Sequence, residues 1–264
     1  MARNSTLNRD AELLLAHCLG WSRAELLARP DAEIPAPVAQ CFEQLLKRLE
    51  AGEPLAYLTG EKEFWSLPLQ VDASVLVPRP ETERLVEAAL EIGREREPLA
   101  ALDLGTGSGA VALAIAKERP RWRVTAIDND AASLTVARQN AVRLGLDRIE
   151  FLHGSWFEPL ALRRFDLIVS NPPYIAADDP ALAAAALTFE PRPALVAGAT
   201  GLEALTAIVR QAPQHLEAGG HVLLEHGWDQ GAATRTLLAR AGFSNIRTLN
   251  DLAGRERVTA GQVT

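Results

Sequence analysis

Cysteine is scarce in this chain: Cys18 and Cys41 are the two in 264 residues. Neither stands at a metal-ligand spacing, and the five histidines form no cluster, so no metal is expected. Free or buried thiols in a reducing compartment are the expectation instead. No run of 18 apolar residues occurs and the N-terminus is polar. That argues against a membrane span and a signal peptide, and a cytoplasmic protein is expected. Positive charge is in deficit, with 27 Lys and Arg against 34 Asp and Glu and a net charge of −7. The first 75 residues repeat the bias, with seven basic and eleven acidic side chains. Such a surface suits polyphosphate poorly, so no direct nucleic-acid partner is expected. Internal repeats and low-complexity blocks are also missing. What remains is 48% hydrophobic and 23% charged, an ordinary globular composition. The length suits a full α/β domain plus a small extra one.

One stretch organises the rest. Phe165–Ser170 is a short apolar, β-branched run that reads as a buried strand. Asn171-Pro172-Pro173-Tyr174 follows it. Proline cannot donate to a sheet ladder, so the strand stops here. The residue before a proline is pushed towards extended backbone, which stiffens Asn171 and Pro172. A stiff turn with an amide side chain, exposed carbonyls and one aromatic ring suits a planar NH2 group. Two C=O acceptors take its two hydrogens, and the ring of Tyr174 covers its flat face. A plain strand-ending turn is the alternative.

A second stretch narrows the choice. Ala100–Leu104, a strand carrying Asp103, runs into Gly105-Thr106-Gly107-Ser108-Gly109 and then a helical pattern over 111–117. Strand, glycine turn and helix start make a nucleotide-binding unit. The next strand, residues 122–127, ends in Asp128, 19 residues after Gly109. An acid there can accept both ribose hydroxyls of an adenine nucleoside. Because Gly105, Gly107 and Ala110 fit the relaxed dinucleotide pattern, NAD remains an alternative. Two features argue against it. Asp103, two residues before the first glycine, is unfavourable to a pyrophosphate and favourable to a cation, and hydride transfer has no use for the Asn-Pro-Pro-Tyr strand end.

The flanking segments are read more coarsely. Residues 7–51 read as three helices, with stripes on Leu14, Leu15, Cys18 and Leu19, on Leu26 and Leu27, and on Val38, Phe42, Leu45, Leu46 and Leu49. This bundle either docks a protein substrate or props the larger domain. Residues 52–77 read as a linker and a β-hairpin. Glu81 and Glu83 open the following helix, where acids suit the dipole; they either cap it or lie over the site. Trp156 either stacks on a base or fills the core. Residues 176–200 follow the site and are a lid candidate. Gly201–Leu216 reads as a helix and His221–Glu225 as the fifth strand, before a last helix and two strands.

Taken together, the motifs resemble the class I S-adenosylmethionine-dependent methyltransferases, and more closely the peptide chain release factor N5-glutamine methyltransferases. The matching pieces are Gly52–Tyr57, Val77–Glu83, Leu102–Gly109, Gly154–Glu158, Ser170–Ile175 and Glu225–Gly227. The resemblance implies a doubly wound, mostly parallel seven-stranded α/β sheet over residues 76–264. It implies an N-terminal helical docking domain with a hairpin linker over residues 1–75. S-adenosyl-L-methionine would be the methyl donor, leaving S-adenosyl-L-homocysteine, with no metal. Gly105, Thr106, Gly107, Ser108, Gly109, Asp128, Trp156 and Asn171 would hold the donor. Asn171, Pro172, Pro173 and Tyr174 would hold the acceptor, with Asn171, Pro172 and Tyr174 acting in catalysis. The acceptor implied is the glutamine of the Gly-Gly-Gln loop of release factors. An N6-adenine methyltransferase acting on nucleic acid is the alternative, since adenine's amino group presents the same two hydrogens. A nucleotide-holding module without chemistry is a third reading, which an intact Asn171 and Tyr174 argue against.

Overall fold

Four helices lead the chain in a computed structural model, which describes residues 2–94 and 97–264. Met1, where the expected N-terminal domain begins, lies outside the described residues. The helices are α1 (Ala2–Leu19), α2 (Arg23–Leu27), α3 (Ala36–Glu50) and α4 (Leu55–Thr59). Leu14, Leu49 and Leu58 are buried together, with Phe42, Leu45 and Leu46 packed around them, so the first and third expected stripes face each other, whereas Leu27 of the second is exposed. A capping box starts α2: the Ser22 hydroxyl takes the Glu25 N–H, and the Glu25 carboxylate takes the Ser22 N–H. Cys18 and Cys41 are free thiols. Helix α4 corrects the linker expected there. Pro54 precedes it and Gly60, at φ 72°, ends it in the left-handed conformation. Five residues are too few for a helical period to show in sequence.

The expected hairpin pairs β1 (Glu61–Phe64) with β2 (Leu67–Gln70). Its turn residues Trp65 and Ser66 have φ of 53° and 55°, the sense that matches strand twist. Leu67 and Leu69 are buried while Pro68 and Gln70 are exposed. Phe64, Leu67 and Leu69 join the same core as Leu85 and Val86 of α5 (Glu83–Ile92). Glu83 accepts a hydrogen bond from the Trp65 backbone N–H at 2.9 Å, so this acid ties the hairpin turn to α5. Glu81 stands exposed in the single 3-10 turn Pro80–Thr82 ahead of it.

The main sheet is built from β3 (Ala100–Leu104), β4 (Arg123–Asp128), β5 (Glu150–His153), β6 (Phe165–Ser170), β7 (Leu216–Glu225), β8 (Ser244–Asn250) and β9 (Glu256–Gln262). Their order is β5-β4-β3-β6-β7-β9-β8. All pairs are parallel except the two made by β9. This is the doubly wound, mostly parallel seven-stranded sheet that the resemblance implies. Period-two alternation sends successive side chains to opposite faces. Ala101, Val124, Ala126, Leu167, Val169 and Leu223 share one core with α5 and α6 (Ala110–Glu118). Leu102, Leu104, Ile127, Ile168, Val222 and Leu224 share the other with α9 (Glu203–Gln211) and α10 (Gly231–Arg240). Helix α7 (Ala131–Arg143) connects β4 to β5. The helix expected to reach Leu216 stops at Gln211. Pro213 sits in a 3-10 turn over Ala212–His215, and β7 starts five residues before the expected His221.

The segment after Tyr174 is neither helix nor strand for most of its length. It holds 3-10 turns at Pro180–Ala183 and Ala185–Phe189 and the short helix α8 (Arg192–Leu195). Its Glu190 is buried, accepts from the Val77 N–H, and is paired with Arg79. The segment is thus clipped to the connector that precedes α5. On its other side it meets the helical module, where a Cβ on Gly52 would come within 2.7 Å of the Ala185 Cβ. No helix among the described residues is long and apolar enough to cross a membrane.

Candidate active site

Strand order puts the ends of β3 and β6 side by side, and parallel direction brings both motifs to one edge. A cavity opens there, lined by Gly105, Gly107, Asp128, Trp156, Asn171 and Pro173 among the expected residues. This is the carboxyl edge, where open α/β sheets bind ligands. Gly105, Gly107 and Gly109 have φ of 73°, 55° and 86°, a backbone that side-chain-bearing residues rarely adopt. The Asp128 carboxylate accepts from the Gly107 N–H at 2.8 Å and from the Asp130 N–H at 3.0 Å. Burial raises its pKa, while those hydrogen bonds pull it back.

Three expected donor residues do not line the cavity. The Thr106 hydroxyl donates to Asp103 at 2.7 Å beneath the turn. Ser108 is buried, and its carbonyl accepts from the Asn140 side chain at 3.0 Å. At Gly109 a Cβ would come within 3.0 Å of Leu113 and 3.3 Å of Ala137. These residues shape the turn from behind.

Asp103 also lies under the turn, 2% exposed, and burial pushes its carboxyl up to about 7. A pKa raised in the folded state means that this group favours folding fully at acid pH and loses that contribution as pH rises through about 7. Asp103→Asn removes the titration. Its melting temperature relative to wild type is therefore expected to climb between about pH 4 and pH 7. Thermal melts of both chains across that range test this, and a constant difference would put Asp103 at an ordinary pKa.

At the end of β6, the Asn171 Nδ2 donates to the Thr82 hydroxyl oxygen at 3.1 Å. Fixing the NH2 end leaves the carbonyl end of the amide to point elsewhere. Pro172 is buried and, with Tyr174, is not among the residues that line the cavity with Asn171 and Pro173. The Tyr174 carbonyl is held by the Gln230 side chain at 2.9 Å. Burial is the main cause lifting the Tyr174 phenol to about 12, with the nearby Glu225 carboxylate adding to it. Glu225 ends β7 and is 1% exposed; burial pushes its carboxyl up to about 7, and the neighbouring Thr82 hydroxyl opposes that rise. Among the described residues no three His, Cys, Asp or Glu side chains are grouped to hold a metal ion.

Residues 2–60 match the model of the PrmC N-terminal domain, and residues 89–190 that of the methyltransferase small domain. A protein of Xylella fastidiosa (strain Temecula1) named release factor glutamine methyltransferase is 49% identical over 96% of this chain and 92% of its own length. One of the same name from Vibrio cholerae is 50% identical over 96% of this chain and 88% of its own. The chain belongs to the release factor glutamine methyltransferase family. The catalytic fold alone extends further: a ribosomal protein L11 methylase from Lactobacillus delbrueckii subsp. bulgaricus superposes with a TM-score of 0.54 at 26% identity, covering 74% of this chain and 86% of that one.

In this member of the release factor glutamine methyltransferase family, the cavity also takes residues that no motif named, some of them from the 176–200 segment read as a lid candidate. Ser74 and Leu76 reach the cavity from the connector, and Pro191, Pro193 and Ala194 reach it from the segment clipped by Glu190. Ser133, on the first turn of α7, lines it too and donates to the Ser74 carbonyl at 3.1 Å. Asn140, fully buried and outside the cavity lining, is less visible still. Its side chain bonds both the N–H and the C=O of Gln70 and also the Ser108 carbonyl, which joins the hairpin to the glycine turn. In sequence it is one polar residue on an amphipathic helix.

Proposed function

We propose that this chain transfers the methyl group of S-adenosyl-L-methionine to the side-chain amide nitrogen, N5, of the glutamine in the Gly-Gly-Gln motif of peptide chain release factors. The observation that carries the reading is the extent of the likeness. It spans the helical module as well as the catalytic one, at about half identity over 96% of the chain. An acidic first 75 residues favours a protein over a nucleic acid as the partner. Acting on release factors would place the protein in the cytoplasm. The direct test is mass spectrometry of purified release factor incubated with enzyme and donor. A gain of one methyl on the Gly-Gly-Gln glutamine is expected, and an unmodified glutamine would overturn the proposal.

The cavity's residues fit the donor. Asp128 has lone pairs left after its two backbone bonds, enough to accept ribose hydroxyls. Gly105 and Gly107 let backbone approach closely, and Trp156 offers a ring for adenine. A sulfonium and an ammonium bound beside the turn would favour the ionised form of Asp103 behind it, against the burial that raises its pKa. Bound there, S-adenosyl-L-methionine supplies an electrophilic methyl.

An amide nitrogen is a weak nucleophile because its lone pair is delocalised, so positioning dominates. The Asn171 side-chain carbonyl and the Pro172 backbone carbonyl accept the two hydrogens of the glutamine NH2 and aim the nitrogen. Tyr174 covers the flat face of the group. Carbonyl dipoles also favour the positive charge that develops on the nitrogen. Thr106, Ser108 and Gly109 serve by holding the turn's shape.

We assign the helical module to docking of the protein substrate. Starting the chain at Glu53 keeps α4, whose Tyr57 hydroxyl donates to the Val75 carbonyl at 2.6 Å. That truncated protein is expected to show a larger rise in KM for intact release factor than for a short Gly-Gly-Gln peptide, once circular dichroism confirms that it is folded. Equal losses on both substrates would make the helices a scaffold.

A further inference from the structure

We propose that Thr82 and Glu225 are positioning residues that fix which edge of the Asn171 amide faces the acceptor, a role that rests on reading Asn171 as an acceptor clamp. The placement follows from the sheet. Ser170 of β6 pairs with Leu224 of β7, so Asn171 and Glu225 are next to each other at the carboxyl edge. Thr82, in the turn that leads into α5, accepts from the Asn171 Nδ2, and its hydroxyl stands beside the Glu225 carboxyl group, whose ionised form it favours. Thr82 is 4% exposed and Glu225 1%, so bulk water does not stand between them.

Polarity is the point of the chain. A hydroxyl can donate to an amide carbonyl or accept from an amide NH2, and the two options hold the amide in opposite senses. An ionised carboxylate only accepts. Glu225 therefore takes the Thr82 proton, Thr82 presents its lone pairs, and Asn171 must turn its NH2 inward. The Asn171 carbonyl is left for the substrate. Among the described residues the second Glu225 carboxylate oxygen has no hydrogen-bond partner, so nothing competes with Thr82 on this carboxyl group.

Protonation undoes the arrangement. A neutral Glu225 can donate to Thr82, which frees the Thr82 proton to bond the Asn171 carbonyl and reverse the amide. Burial raises the Glu225 carboxyl to about 7; Arg257 and Arg79 oppose the rise and Glu81 adds to it. The Tyr174 phenol also faces it but stays neutral in this range.

The test is steady-state methyl transfer to release factor, with S-adenosylhomocysteine affinity and circular dichroism as controls on the fold. Thr82→Val is expected to lower kcat about tenfold or more with donor affinity unchanged, and Thr82→Ser to restore it. Adding Thr82→Val to Asn171→Ala should lower kcat no further, because the relay acts only through that amide. The ratio of wild-type kcat to that of Glu225→Gln should be largest at about pH 8 and shrink towards one below about pH 6, where the acid is neutral like the amide. Titration of Asp103 is common to both chains and cancels in this ratio. A Thr82→Val enzyme with wild-type kcat, or a ratio independent of pH, overturns the relay. If Asn171→Ala is itself as active as wild type, the parent reading fails; if it is inactive while Thr82→Val is active, the relay alone fails.

Discussion

Asn171→Ala is expected to leave S-adenosylhomocysteine binding nearly intact and to cut methyl transfer by about a hundredfold or more. One unmade buried hydrogen bond costs about 1–3 kcal/mol, and each 1.36 kcal/mol is about tenfold in rate. Loss of aim adds to that, since a small misplacement of reacting atoms costs about a hundredfold. Asn171 lines the cavity, but the Gly105–Gly107 turn and Asp128 stand at the ends of other strands and keep their places. Asn171→Asp is expected to be milder, because a carboxylate oxygen replaces the carbonyl. It loses the Nδ2 donor to Thr82, however, and sets a second acid beside Glu225. Tyr174→Ala should fall between the two, removing a covering ring but no acceptor. Single-turnover rates at saturating donor give the order. An alanine variant that keeps most of its turnover on full-length release factor would reduce Asn171 to a turn residue.

Asp128→Ala has its large effect on the donor. A hydrogen bond to a charged group is worth about 1.5–3 kcal/mol, so affinity is expected to fall by about tenfold to a hundredfold. The same substitution strips an acceptor from the Gly107 and Asp130 N–H groups, which loosens the glycine turn that lines the cavity. Asp128→Asn should recover part of the loss, because one oxygen still accepts. Calorimetry with S-adenosylhomocysteine measures both, and an unchanged affinity would remove Asp128 from the site.

What could be read ahead of the structure was whatever depends on local chemistry. The strand ends at 104, 128 and 170 follow from short apolar runs stopped by glycine, acid or proline, and each falls within a residue of its expected place. The hairpin was legible because Leu67 and Leu69 alternate with polar positions. Missing from the reading were the contacts between segments that no motif joins. Thr82 looks like one more residue of a Pro-rich turn until the β6–β7 register puts Asn171 and Glu225 beneath it. Glu190 reads as an acid in a proline-rich loop, and only burial against Arg79 and Val77 gives it a role. Thr106 and Ser108 went the other way. The motif includes them, but the direction in which a tight turn points each side chain is a tertiary fact.

The segment between Tyr174 and α9 touches both halves of the molecule. Pro191 and Pro193 wall the cavity, Glu190 holds the connector, and Ala185 lies against Gly52 at the foot of the helical module. A ligand on the helices that shifts residue 52 therefore alters the free energy of filling the cavity. Linkage makes that influence mutual: whatever factor a bound protein applies to donor affinity, the donor applies to the protein's affinity. Donor and product differ by one methyl and one positive charge, so to the extent that they press differently on this wall, methyl transfer itself changes how tightly the protein substrate is held.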